Sequence, residues 1–505
     1  MASRNAWERL KEHLHITQLT GSIHSTLYFD QNTVMPAAGA AWRGEQLALL
    51  AAQLHERQSS PEYADLVAAA EAELAAEAPA KQRRNLQLLR LELERQRCLD
   101  PALVTALARA QSRGNAVWQE ARAAADFAAF APALRELIAL RRQQASQLAA
   151  AEPVARSPWE VLAQPFEPDV SKARLLELFA PLKAELPALL EEAAAAPDAP
   201  GSGADLSEAL QEQLCSELLE SWGYDASRCQ RSRSAHPFSC TVGPADFRIT
   251  TRVVPGQPLS AFLATAHEWG HSLYEQGLPR SDDHYFPWPL GEATSMGVHE
   301  SQSLFWECRV ARSRAFADRW HPRFCSGIGA DAWGGPSGFW RALNPFRPGL
   351  IRVEADELSY CLHIVLRFEL ELELLESALP VEELPEQWNQ RMQALLGLRP
   401  GSDAQGCLKA IHWAEGLFGY FPSYALGHLI SAQLSEAMVR SIGPLEAQIA
   451  SGNEGALRAW LADHVWPLGR RVNGEELVAQ VSGRPLEARP FLNHLRARLD
   501  QLDAS

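Results

Sequence analysis

The chain contains no uninterrupted apolar run that reaches the roughly 20 residues a membrane-spanning helix needs. Its first residues, MASRNAWERLKEHLHITQL, alternate charged and apolar positions and lack the apolar core of a secretory signal. A cationic surplus is missing too. Lys and Arg total 47 against 62 Asp and Glu, for a net charge of −15. That balance argues against a broad face for nucleic acid, while leaving room for a local cationic pocket. Cysteines at paired metal or disulfide spacing are also absent. Cys98, Cys215, Cys229, Cys240, Cys308, Cys325, Cys361 and Cys407 are scattered, which reads as buried thiols in a reducing compartment. The expectation is a cytoplasmic protein with neither a membrane nor a nucleic-acid partner. No solenoid repeat is present.

What the chain does have is helical periodicity. At 505 residues, 47% of them hydrophobic and 22% charged, it can bury a large core, as about three domain-sized units or as one large helical body. RGEQLALLAAQLHERQ, RRNLQLLRLELERQRCL and FAAFAPALRELIALRRQQASQLAA repeat apolar residues every three to four positions, with charge on the other face. Breaks fall at MPAAGA (35–40), EPVARSP (152–158) and PDAPGSGADLS (197–207), where Pro, Gly and Ser cluster. The expected fold is therefore mainly α, one unit over 1–505 with an N-terminal helical region (1–196) and a second region (206–505) that carries the chemistry. Residues 236–254, HPFSCTVGPADFRITTRVV, depart from this pattern. Alternating Phe238, Cys240 and Val242, then Phe247 and Ile249, flank a GPAD turn and predict a β-hairpin or part of a small sheet. It ends about a dozen residues before the chemical motif. Its edge is expected either to pair with an extended peptide or to form a plain flap.

That motif is AFLATAHEWGHSLYEQG (261–277). His267 and His271 are four apart, so on a helix both imidazoles reach one point, and Glu268 projects beside them without binding the same ion. This is the zinc-hydrolase pattern, although on the order of a few per cent of chains this long would contain it by chance. Catalytic zinc takes a third protein ligand and keeps a position open for water. The stretch GEATSMGVHESQSLFWECRVARSRAF (291–316) reads as a second helix offering Glu292, Glu300 and Glu307. Glu292 and Glu300 are eight apart on similar faces, and periodicity leaves both open.

Five motifs occur in one order: HPF (236–238), DFRIT (246–250), HEWGH (267–271), HESQS (299–303) and GLFGYFPSYALG (416–427). In this the chain resembles the carboxypeptidase Taq family of metal-dependent carboxypeptidases. The likeness also takes in FDQNTVMPAAGAAWRGEQ, where the family usually has Trp in place of Phe29, as well as PWEVLAQPFEPDVS and LIRVEADELSYCLHIVLRFELE. The resemblance implies a deep groove between long helices, a homodimer, and broad specificity for C-terminal residues. It also implies that Glu300 is the third ligand, leaving Glu292 a supporting carboxylate. One departure stands out. Where the family has Gln-Asp ahead of a variable residue and His-Trp, this chain reads LKAIHW, with Lys409 and Ala410. The loss of an acid beside His412 is expected to lower activity or alter substrate preference if that acid orients the histidine.

The chemistry expected is peptide hydrolysis at zinc, with cobalt as the alternative ion, held by His267, His271 and Glu300, and with Glu268 as general base. Gripping a terminal carboxylate suits arginine. Arg352 is placed in the groove by the resemblance, and Arg248 is either a second clamp or a partner of Asp246. His236 offers a further donor, or packs a turn. Tyr420 and Tyr424 are candidate donors to the oxyanion, or members of a packed aromatic turn. His299 belongs beside the metal ligands, and His412 either contacts substrate or supports the fold. The rival functions are an oligopeptidase cutting inside short peptides and an inactive peptide-binding descendant.

Overall fold

The computed structural model describes residues 5–74, 78–194, 206–280, 288–326, 328–329, 333–377 and 379–503, and these are mainly helical with one small sheet. The three periodic stretches form the helices Ala40–Ser59, Ala80–Arg97 and Phe127–Leu148. The last begins where Asp126 accepts the Ala129 N–H, a cap that satisfies one of the free donors of the first turn. The break at 35–40 contains a short 3₁₀ turn, Ala37–Gly39. Most of the Pro/Gly/Ser stretch at 197–207 lies outside the described residues. One continuous apolar core runs from Trp118 to Leu502, and a smaller one joins Ala6, Leu10, Tyr63, Leu86 and Trp288. All eight cysteines are free thiols, and only Cys98 and Cys240 are not fully buried. No described helix is long and apolar enough to cross a membrane.

The hairpin is present as β2 and β3 of a sheet with strand order β1-β3-β2. Its strands are β1 (Cys229–Arg233), β2 (Ser239–Gly243) and β3 (Asp246–Thr251), with β2 antiparallel to β3. The addition is β1, which pairs with β3 in parallel. Parallel pairing needs a crossover rather than a turn, so no local turn signal announced it. The free side of β2 is partly taken by the N-terminal helix Ala6–Thr33, where Ser22 donates its hydroxyl to the Val242 carbonyl. β3 meets the helix Ser260–Gly277 through buried threonines: Thr265 Oγ1 donates to Thr251 Oγ1 (3.1 Å), and Thr251 Oγ1 donates to the Ala261 carbonyl (3.0 Å).

The stretch 291–316 is not one helix. After a 3₁₀ turn (Pro289–Gly291), Ser295 accepts the Val298 N–H and starts the helix Met296–Leu304. That helix widens into a π-helical segment (Phe305–Ala311) before Arg314–Phe324 begins. Glu292 therefore precedes the helix in extended backbone and forms an ion pair with Arg470. The helices Ser260–Gly277 and Met296–Leu304 meet at Gly270, between the two motif histidines. A Cβ there would lie 2.7 Å from both the Gln302 carbonyl oxygen and the Ser303 Cα. On the other side, helix Pro422–Ile442 presents Gly427, where a Cβ would lie 2.6 Å from Glu300 Cγ.

Gly270→Ala must force two backbones apart. The expected cost is about 1–3 kcal/mol, the usual range for overpacking, read as a lower urea midpoint. Metal affinity should fall in parallel, because His271 and Glu300 sit on the two separated helices.

Candidate metal centre

On the first of these helices the four-residue spacing stacks His267 and His271 one turn apart, their ring centroids 4.8 Å from each other. Glu300 enters from the second helix. Its Oε2 lies 3.7 Å from His267 Nε2 and 3.4 Å from His271 Nε2. Among the described residues these three form a group able to hold one ion. Glu268 lies buried beside them at the cleft.

Behind these three side chains is a layer that sequence reasoning only partly identified. His267 Nδ1 lies 2.9 Å from Glu307 Oε2, and Glu307 pairs in turn with Arg312 (2.8 Å). His271 Nδ1 lies 3.2 Å from the His299 carbonyl oxygen. The His299 ring packs on His271 at 4.5 Å and meets Glu275 at 3.0 Å, and Glu275 is also paired with Arg280 at 2.7 Å. These contacts leave both Nε2 atoms turned toward Glu300, an arrangement metal-binding histidines use to fix ring orientation. A signal for both acids existed: Glu275 is four past His271, and Glu307 seven past Glu300. Those spacings place each on its ligand's helical face.

The electrostatics favour a cation. Burial works against charge on Glu300, yet His267 and His271 beside it hold its carboxyl down to about 2. Burial also opposes charge on Glu307, and Arg312 and His267 bring it down to about 2. Burial alone would lower the His267 pKa, but Glu300 and Glu307 raise it to about 10. His271, buried and beside His299, goes the other way, to about 4. Two imidazole nitrogens and a carboxylate oxygen form a donor set suited to zinc or a similar divalent ion. Burial raises Glu268 to about 7, suited to moving a proton near neutral pH. A second cluster, Cys308, Glu357 and His428, is differently placed. Arg309 and Arg498 lie 3.1 and 3.0 Å from the Glu357 carboxylate and already neutralise it.

The centre lies in a cleft of about 1460 Å³ that is also lined by His236, Arg352, Tyr420 and Tyr424. Arg352 has no carboxylate within ion-pairing distance among the described residues. Its Nη1 donates to the Tyr360 hydroxyl (2.7 Å), and its guanidinium lies 4.5 Å from the Tyr424 ring centroid. Tyr360 had no spacing signal. His236 is exposed at the cleft edge. The structure does not bring Arg248 or His412 into the lining. Arg248 instead chelates Asp246 at 2.8 and 2.6 Å over the Phe29 ring. His412 sits behind the cleft wall, 4.5 Å from Phe421 and 6.0 Å from Tyr420. Lys409 ends a 3₁₀ turn, Cys407–Lys409, and Ala410 is buried after it. Neither lines the cleft.

A family model described as Carboxypeptidase Taq (M32) metallopeptidase matches residues 9–499. The chain is 36% identical to Thermostable carboxypeptidase 1 of Thermus thermophilus, over 99% of each sequence. Among solved structures, the M32 carboxypeptidase of Deinococcus radiodurans is 33% identical and superposes with a TM-score of 0.92 over 99% of this chain and 100% of that one. Metallocarboxypeptidase 1 of Trypanosoma cruzi is 32% identical, with a TM-score of 0.92 over 98% of this chain and 99% of the other.

Glu307→Gln removes the charge that orients His267. Metal affinity, measured by competition with a chromophoric chelator, should weaken about 10- to 100-fold, the range seen when such supporting acids are changed.

Proposed function

Because this chain belongs to the carboxypeptidase Taq (M32) metallopeptidase family, we propose that it removes C-terminal residues from peptides with broad specificity, using zinc held by His267, His271 and Glu300. The observation that carries this reading is the pairing of two features in one cleft: three converging ligand atoms on its floor, and an arginine with no carboxylate partner among the described residues on its wall. Cobalt suits the same donors.

A divalent ion bound there would polarise the scissile carbonyl and make a water more acidic. The protein's own groups do the rest. Arg352 receives the terminal carboxylate through two parallel hydrogen bonds, its fork held in plane by the Tyr360 hydroxyl and the Tyr424 ring. Glu268, enclosed and with a pKa near 7, takes a proton from the attacking water and delivers it to the departing amine. Tyr420 and Tyr424 donate toward the oxygen on which charge develops. His236 at the rim adds a donor to the bound chain end. The reading extends to a cytoplasmic homodimer, on family resemblance.

Time-resolved mass spectrometry of a mixed peptide set should show ladders shortened from the C-terminus, and C-terminal amides of the same peptides should resist. Equal cleavage of acid and amide would replace this reading with an internal-cutting oligopeptidase. Glu268→Gln should keep its metal and lose about 10²- to 10⁴-fold in kcat, the usual worth of a positioned base. A zinc-loaded wild type as inert as that variant would instead mark a binding protein.

A further inference from the structure

Glu371, on the helix Tyr360–Glu376, is fully enclosed and has no cation within ion-pairing distance among the described residues. Its oxygens instead accept three N–H donors from three separate segments. Oε1 takes the Trp413 indole N–H (3.1 Å), while Oε2 takes the Trp159 indole N–H (3.0 Å) and the Gly419 backbone N–H (3.0 Å). Each donor belongs to the wall that carries Tyr420. Trp413 follows His412, whose ring is packed on Phe421 and Tyr420. Gly419 precedes Tyr420 with a φ of +84°, and a Cβ there would lie 2.7 Å from Ala163 Cα. The turn thus rests directly on the helix Pro158–Ala163, which contributes Trp159. Just beyond that helix, the Phe166 ring meets Tyr420 edge-on at 5.0 Å. Residues 406–414, GCLKAIHWA, contain no acid of their own.

We infer that Glu371 is the positioning residue of this wall: by gathering Trp159, Trp413 and Gly419 onto one carboxylate, it sets the height and direction of the Tyr420 hydroxyl in the cleft. The inference rests on the reading in which Tyr420 donates to the oxyanion. Three donors at one point need a group that only accepts. A carboxylate offers about four lone-pair sites and no hydrogen, whereas glutamine of the same shape must turn an NH₂ toward an indole or amide N–H. The wall then shifts, and displacement of a reacting or stabilising group by about 1 Å is enough to cost on the order of 10²-fold in rate.

The test compares zinc-loaded wild type, Glu371→Gln, Tyr420→Phe and the double variant on a free-acid peptide, together with metal content and the indole N–H NMR resonances. Glu371→Gln should retain full metal and a KM near wild type, while kcat falls about 10- to 100-fold and the Trp159 and Trp413 indole resonances move. Because Glu371 acts through Tyr420, the double variant should fall no further than Tyr420→Phe alone. Losses that multiply in the double variant, or a kcat unchanged in Glu371→Gln while Tyr420→Phe is impaired, overturn the inference alone. A fully active Tyr420→Phe removes the oxyanion role of Tyr420 and the inference with it. If Glu371→Gln does not fold, Trp413→Phe removes one donor and leaves two. It should lose about 2- to 10-fold in kcat by a smaller displacement of the same wall with metal and KM retained, and an unchanged kcat there is equally fatal.

Discussion

The structure depends on a balance of charge at the partly buried floor of a cleft. Glu268, Glu300 and Glu307 crowd around two imidazoles, all drawn from two helices that touch backbone to backbone at Gly270. Desolvated carboxylates are costly unless paired, and the protein pairs them unevenly. Arg312 answers Glu307, and Arg280 with His299 answers Glu275. Glu300 faces the two histidines and accepts the Ser303 hydroxyl (3.2 Å), with no Arg or Lys within ion-pairing distance among the described residues. A divalent ion between these three side chains would complete the shell. The close approach that creates it explains why glycine stands at 270 and at 427, on the two sides from which other helices press on the Glu300 helix.

Much of this was legible in the chain. The amphipathic stretches repeat at the helical period, and three of them match observed helices closely, because apolar spacing reports which face is buried. The β2–β3 hairpin showed through alternation around GPAD, and HEWGH displayed its geometry directly, since residues four apart on a helix must share a face. The segment 291–316 misled because its residues suit a helix throughout. Tertiary context decided otherwise: Ser295 starts the helix late, and the π-helical segment interrupts it. With Glu292 outside the helix and tied to Arg470, the comparison of helical faces that left it equal to Glu300 no longer applies.

What stayed hidden was mostly contact between distant segments. The β1–β3 pairing is parallel, so the two strands are joined by a crossover that carries no turn signature. Arg248 and Arg352 both stood in promising motifs, and neither spacing nor residue type separated them. The folded chain does: Arg248 has Asp246 two residues away and two hydrogen bonds to it, while Arg352 has two tyrosines and an open cleft. Similarly, Glu371 belongs to a helical stretch that reads as ordinary amphipathic sequence, and only the arrival of Trp159, Trp413 and Gly419 distinguishes it from the other acids of that helix.

The same distant contacts tie the floor of the cleft to its wall. Phe166 touches Tyr420 with its ring, and its carbonyl accepts the Met296 N–H (2.9 Å) at the start of the helix that delivers Glu300. The next residue, Glu167, is buried and accepts the Gly297 N–H from that same first turn, where a carboxylate also meets the positive end of the helix dipole. A Cβ on Gly297 would press on that carboxylate at 2.9 Å, so the contact tolerates no side chain between them. Two consecutive residues therefore tie the Glu300 helix on one side to the tyrosine turn on the other. A shift of this segment would bear on Glu300 and Tyr420 at once.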